Sequence, residues 1–260
     1  VAQAMTIYSW NMLFRNQEQD RAFAFIRDVA FDIFCLQEVP DEFLARLKTL
    51  PFHLASGIDV DRFFSHRVRN HLVILSRYPI SARGVIPLPD YWTLLPWRAR
   101  LFIRLMRSFN FSRTENRHGL FADVETPAGL VRVFDLHLTL AHPRWRIEEF
   151  ETALAGRVPG RPTIVCGDFN ILESPKITIL NWFLGGRMTD VVRYRRERMR
   201  IEARFVEHKL VNPLYGRPTH PLSRSQLDHI LVSRSFSVKD AAVLSDRAGS
   251  DHHPISVTLA

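Results

Sequence analysis

The chain of 260 residues carries 35 Lys and Arg against 27 Asp and Glu, a formal charge of +8, and it is 46% hydrophobic and 24% charged. This usage is that of an ordinary globular chain and excludes intrinsic disorder and fibrous repeats, while the length suits one domain with a sizeable core. No run approaches the roughly 18 consecutive apolar residues of a membrane span, because Arg100, Arg104 and Arg107 flank and interrupt the greasiest stretch, Leu101 to Met106.

Strand-length apolar runs alternate with segments of helical period from end to end, which predicts one continuous α/β domain. Thr6 to Trp10 reads as a strand. Gln19 to Ala30 then places Ala22, Phe25, Ile26 and Val29 on one helical face. Ile33 to Leu36 is the next strand, and Asp41 opens a helix with Phe43, Leu44, Leu47 and Leu50 inward. Leu72 to Leu75, Leu120 to Val124 and Val131 to Leu136 read as strands, with Gly129 at a hairpin turn. Pro143 to Arg157 has the proline start of a helix, and Pro162 to Cys166 leads into a strand. Ser174 and Pro175 resemble a cap and first turn for a helix reaching Phe183, and Leu227 to Val232 and Ile255 to Leu259 are the last strands.

Cys35 and Cys166 each sit in a short apolar run, where a reduced thiol packs as a core residue, so both are expected buried and unpaired. Val1 to Ala4 show neither the basic start nor the apolar centre of a secretory signal. A cytoplasmic location is therefore the default expectation, although a chain that had lost a signal would begin alike.

Polar residues recur at the predicted strand ends: Asn11, Gln37 with Glu38, His137, Asp168 with Asn170, Asp228 with His229, and Asp251 with His252. Strand ends at one edge of a sheet converge on a single cleft. Carboxylates, amides and histidines without a thiolate cluster suit a hard dication, Mg²⁺ or Mn²⁺, and phosphoryl chemistry.

Seven segments carry a resemblance, in order: Tyr8-Ser9-Trp10-Asn11, Cys35-Leu36-Gln37-Glu38-Val39, Ile74 to Ile80, Asp135-Leu136-His137-Leu138, Gly167-Asp168-Phe169-Asn170, Leu227-Asp228-His229-Ile230 and Ser250 to Pro254. Together they resemble the endonuclease/exonuclease/phosphatase family. The resemblance implies a four-layer α/β sandwich of two packed mixed β-sheets flanked by helices, as in deoxyribonuclease I, over residues 1–260. It also implies a Mg²⁺ cofactor, with Glu38 as principal metal ligand, Asn11 beside the metal and phosphate, and Asp251 completing or supporting the metal site. Asp228 orients His252, and the water is activated by either His252 or Asp168. Asn170 holds the phosphate and His137 donates to one of its oxygens. A His at this point belongs to the deoxyribonuclease I, sphingomyelinase, inositol polyphosphate phosphatase and deadenylase types rather than the exonuclease III type.

His229 follows Asp228 on a strand and points to the other face, so it is expected to be structural. His66, His71, His118 and His142 carry no spacing signal. Two basic stretches bear on the substrate. Between Tyr91 and Thr114, in an aromatic insertion at about 86–114, no acidic residue occurs, and Arg100, Arg104 and Arg107 alternate with aromatics such as Trp92, Trp97 and Phe109. If helical, this segment has Leu101, Leu105 and Phe102 on one face and is either a surface helix docked by that side with its charges in water or a substrate-binding element whose Arg100 and Arg104 contact the phosphates of a polynucleotide or an anionic membrane surface. The second stretch, Arg187 to Lys209, offers Arg195, Arg196 and Arg198 as phosphate contacts.

The favoured expectation is a Mg²⁺-dependent phosphodiesterase acting on nucleic acid, with DNA as the favoured polymer. The alternative keeps the chemistry on a phospholipid or inositol phosphate at an anionic membrane surface. No protein partner is inferred. An inactive binding module on the same fold ranks last, because every necessary position is filled by a competent residue.

Overall fold

The computed structural model describes residues 4–106, 111–140 and 142–260. Arg107 and Phe109 lie outside the described residues. With strands numbered along the chain, one sheet runs β12 (Val238–Val243), β13 (Ile255–Leu259), β1 (Met5–Asn11), β2 (Ile33–Pro40), β4 (Arg67–Ser76), β3 (His53–Phe63) and β6 (Arg113–Glu115). The other runs β10 (Leu210–Val211), β11 (Asp228–Ser233), β9 (Thr163–Asp168), β8 (Gly129–His137), β7 (His118–Thr126) and β5 (Ile80–Pro87). β1 and β2 pair in parallel, as do β8 and β9, while the other pairs are antiparallel. Each parallel pair needs a crossover, and α1 (Gln19–Asp28) and α4 (Pro143–Leu154) supply them.

Alternation along each strand decides what faces what. On β2, Ile33 and Cys35 face the opposing sheet and join Ile7, Ile74, Val133, Ile164, Cys166 and Ile230 in one core. Phe34 and Leu36 face the other way and meet α1 and α2 (Asp41–Leu47) through Ile26, Phe43 and Leu47. Phe134 and Leu136 likewise meet Phe150 of α4 and Ile201 and Phe205 of α7 (Arg195–Glu207). These layers build the expected four-layer sandwich, and each such fully buried side chain contributes about 1.5–3 kcal/mol. Both cysteines are free and buried, as expected, and burial pushes the Cys35 thiol up.

Several elements escaped the sequence. β3 and β5 lack a clean apolar alternation, and β12 carries Lys239 and Asp240 on an edge, where charge discourages pairing with other chains. The helix expected from Ser174 is shorter. The Ser174 carbonyl accepts from the Ile177 and Thr178 amides, and α-helix covers only α5, Ile179–Phe183, because Leu172 and Ile177 turn into a cleft instead.

Gly167 precedes the end of β9 with φ of +137°, a conformation that favours glycine. A Cβ there would collide with the backbone carbonyl of Leu136 on the parallel neighbour. Gly167→Ala is therefore expected to lower unfolding stability by at least about 3 kcal/mol, read by denaturant titration. A change below about 1 kcal/mol would mean that the β8–β9 contact is loose.

Candidate active site

The ends of β8, β9 and β11 lie side by side, so register alone pairs Asp168 with His137 on one flank and Asp228 on the other. Asn11, at the end of β1 in the facing sheet, donates from Nδ2 to Asp168 Oδ2 at 3.0 Å, while its Oδ1 accepts from the Leu13 amide. His252 pairs through Nδ1 with Asp228 Oδ2 at 2.9 Å and turns Nε2 towards Asp168 Oδ2 at 3.7 Å. His137, at the end of β8, does the same. Its Nδ1 meets Asp59 Oδ2 at 2.7 Å, and its Nε2 stands 3.9 Å from the same Asp168 oxygen and 3.8 Å from Glu38 Oε1.

Two Asp–His pairs thus aim at one carboxylate oxygen. Burial by itself would depress the His252 pKa, but the Asp228 and Asp168 carboxylates overcome it and push the imidazole up to about 10. His137 is raised in the same way, against its burial, by Asp59, Glu38 and Asp168. Asp59, despite burial, is held below the usual carboxylate range by His137, Arg117 and Arg62. Thr219 Oγ1 donates to Asp228 Oδ2 at 2.6 Å and fixes the far side of that pair.

Glu38 reaches the cleft through a bulge. The β2–β4 register shifts between Leu36 and Val39, and Glu38 itself has φ of +58°. A non-glycine residue in the left-handed region is strained, and such strain collects at functional sites. The carboxylate accepts from the Phe14 amide at 3.2 Å and from Arg62 Nη2 at 2.7 Å. Asn170, also left-handed at φ +53°, donates its amide to Asp168 Oδ1 and its side chain to the Leu138 carbonyl. The cleft encloses about 360 Å³, with these polar groups at its floor. Its other wall is apolar, built by Tyr91, Leu95, Ile103, Phe111, Leu172 and Leu184.

The donors suit a hard dication. Glu38, Asp168 and Asp251 are oxygen donors that line the cleft, and both cysteines lie in the core. Asp168, Asp228 and His252 form one group with metal-ligating spacing, and His220, Asp251 and His252 another. Glu38 belongs to neither group, and Asp251 lies 3.7 Å from His220 while lining the same cleft as Glu38.

A family model described as the Endonuclease/Exonuclease/phosphatase family matches residues 8–252. The chain belongs to this family. No curated protein matches the sequence. Among solved structures, an endonuclease/exonuclease/phosphatase from Beutenbergia cavernae is 21% identical with a TM-score of 0.70, over 99% of this chain and 72% of its own. A mannosyl-6-phosphatase from Bacteroides thetaiotaomicron is 18% identical with a TM-score of 0.60, over 98% and 99%. A 3′ phosphatase from Neisseria, bound to a product DNA hairpin, is 17% identical with a TM-score of 0.59, over 97% and 98%. At these identities the likeness shows the fold, which hosts many substrates.

In this family member the sequence-predicted residues Asn11, Glu38, His137, Asp168, Asn170, Asp251 and His252 all line one cleft, with Asp228 buried behind His252. Gln37 does not join them. It spans the two sheets, donating to Asp135 Oδ1 at 2.7 Å. His229 is structural, as expected, stacked on Phe169. His71 pairs with Asp41 outside the cleft.

The arginine expectation needs correction. Arg198 is buried, donating to Glu173, to the Gln226 carbonyl and to His229 Nε2, because α7 turns that side towards the sheet. A guanidinium so enclosed is not a phosphate contact. Arg195 is exposed and Arg196 half-buried, and neither lines the cleft. Arg100 and Arg104 line an adjoining cavity with Phe63 and Arg113, which shares Trp92 and Ile103 with this cleft.

Sequence reasoning missed Asp59, Arg62, Arg117 and His220. Arg117 braces the His137 strand, donating to the His137 carbonyl at 2.7 Å and pairing with buried Glu149. Asp59 and Arg62 sit on β3, which the sequence reading did not see.

Two outcomes follow from this wiring. Arg198→Met should lower stability by about 3 kcal/mol, since it leaves Glu173 and the Gln226 carbonyl without their partner; an unchanged melting temperature with altered salt dependence of turnover would restore the phosphate role. Asp59→Asn should lower kcat about 10²-fold with little change in KM, because His137 loses its fixed orientation. Equal activity across the pH range would show that Asp59 does not position His137.

Proposed function

We propose that this protein is a divalent-metal-dependent phosphoesterase that hydrolyses a phosphodiester by in-line attack of water. The observation that carries the reading is the convergence of His137 Nε2 and His252 Nε2 on Asp168 Oδ2 beside Glu38. Glu38, with Asn11 close by, would hold a dication such as Mg²⁺ or Mn²⁺, which would neutralise charge on the phosphate oxygens. Asp168 Oδ2 and His252 Nε2 stand 3.7 Å apart, and since the carboxylates around His252 keep its imidazole protonated, a water bridging the two finds its proton acceptor in Asp168. His137 Nε2, 3.9 Å from that oxygen, and the second N–H of Asn170 Nδ2, whose first goes to the Leu138 carbonyl, would donate to the phosphate.

The apolar wall bears on the substrate. Tyr91, Leu95, Ile103 and Leu184 stand where the group attached to the phosphate would lie, and they favour an ester whose alcohol is apolar, such as a lipid phosphodiester. Nucleic acid is the second reading. It is supported by the charge of +8 and by Trp92, a half-buried aromatic ring that lines the cleft. It loses Arg198 to the interior.

The test is hydrolysis of bis(p-nitrophenyl) phosphate, phosphatidylcholine, sphingomyelin, inositol phosphates, RNA and DNA with Mg²⁺, Mn²⁺ or EDTA. Turnover should be lost in EDTA, Glu38→Gln should raise the dication concentration required, and His252→Ala should lower kcat/KM by about 10²–10⁴-fold. Lipid turnover exceeding nucleic-acid turnover supports the apolar ester, and the reverse order supports nucleic acid. Activity that survives EDTA and both substitutions would overturn the mechanism.

A further inference from the structure

The helix α3 (Trp97–Leu105) does not dock as its sequence suggests. Its buried residues are Ala99 and Ile103, with Phe102 tucked against Phe111 and Phe183, so those positions face the cleft and α5. Trp97, Leu101 and Leu105 recur every four residues and therefore share one stripe, and that stripe faces solvent. Trp97 is 74% exposed, Leu101 45% and Leu105 70%, and Leu94 in the preceding turn is 65% exposed. Soluble proteins scatter single apolar residues over their surfaces, but three aligned on one short helix, headed by a tryptophan and with Leu94 exposed in the turn before it, mark an interaction face.

The charge around the stripe identifies its occupant. Arg100 and Arg104 run alongside it, one turn apart, and open into the cavity lined by Phe63, Trp92 and Arg113. No acidic residue occurs from Tyr91 to Thr114. An apolar stripe with a basic flank and an interfacial tryptophan is what an anionic lipid surface complements: acyl chains take the leucines, the headgroup boundary takes the indole, and lipid phosphates take the guanidinium groups. The same helix is a wall of the catalytic cleft through Ile103, and Leu222, 86% exposed, lines that cleft as well.

We propose that α3 and the turn before it dock this protein on an anionic membrane surface, with Trp97, Leu101, Leu105 and Leu94 entering the headgroup boundary and Arg100 and Arg104 contacting lipid phosphates. Docked in this way, the cleft lies beside the bilayer, and a lipid phosphodiester reaches Asp168 along the apolar wall. The proposal rests on the phosphoesterase reading only for that last step, since docking itself requires no turnover.

The test is flotation with vesicles of phosphatidylcholine, with and without phosphatidylglycerol, using full-length protein and its Glu38→Gln form in EDTA so that binding is read without hydrolysis. Binding should require phosphatidylglycerol and fall at high salt. It should drop at least about tenfold in Trp97→Ser/Leu101→Ser/Leu105→Ser, and Arg100→Gln/Arg104→Gln should lose the preference for anionic vesicles. Both variants should keep wild-type turnover of soluble bis(p-nitrophenyl) phosphate, which confirms their fold. Absence of vesicle binding at low salt, or binding indifferent to the apolar triple substitution, would overturn the proposal. So would a dimer in light scattering that the triple substitution dissociates, since the stripe would then serve a second copy of the chain. If instead vesicles are bound but no phosphoester is cleaved, docking stands and the enzyme reading fails.

Discussion

A single carboxylate oxygen organises this molecule. Asp168 Oδ2 receives Asn11 from the facing sheet and faces two histidines, each held by its own buried carboxylate: His137 at the end of β8 and His252 in the loop before β13. Burying Asp59, Asp168 and Asp228 together would be unfavourable if they were unpaired, because each charge loses its water and repels the others. The raised affinity of both imidazoles for a proton is the electrostatic answer to that crowding. Geometry and charge therefore support each other: the strands bring the acids together, and the acids orient and charge the histidines.

The sandwich makes this arrangement possible at one end only. Both sheets contribute strand ends there, and Gly167 brings β9 close enough to β8 for His137 and Asp168 to sit in register. The β2 bulge turns Glu38 into the same space at the expense of a left-handed backbone, and Arg62 neutralises it. Above this polar floor, Tyr91, Leu95, Ile103, Phe111 and Leu184 close one side with apolar side chains. The result is a charged floor under an apolar wall, which suits an ester with a phosphate at one end and a greasy group at the other.

The sequence made the strand-end residues legible because each stands just after an apolar run within a recognisable motif, and seven such motifs kept their order. Partners without a motif were hidden. Asp59 and Arg62 lie on β3, whose Gly57 and mixed burial erase the alternation that announces a strand. Arg198 looked like one of several exposed arginines because its acidic neighbours on α7 suggested a solvated face, whereas Glu173 and Gln226, distant in sequence, enclose it. On α3 the apolar residues occupy more of the perimeter than one neighbour can cover. Only the packing against Phe183 and the cleft decides that Ile103 turns inward and Leu101 and Leu105 outward.

The most direct test of the account is a crystal structure of the protein with Mn²⁺ and inorganic phosphate, read by anomalous scattering. The account predicts an ion on the Glu38 carboxylate, Arg62 drawn away from it, and a phosphate oxygen within hydrogen-bond distance of His137 Nε2 and His252 Nε2. An ion seated only between His220 and Asp251, with Glu38 still paired to Arg62 and no phosphate near Asp168, would contradict it.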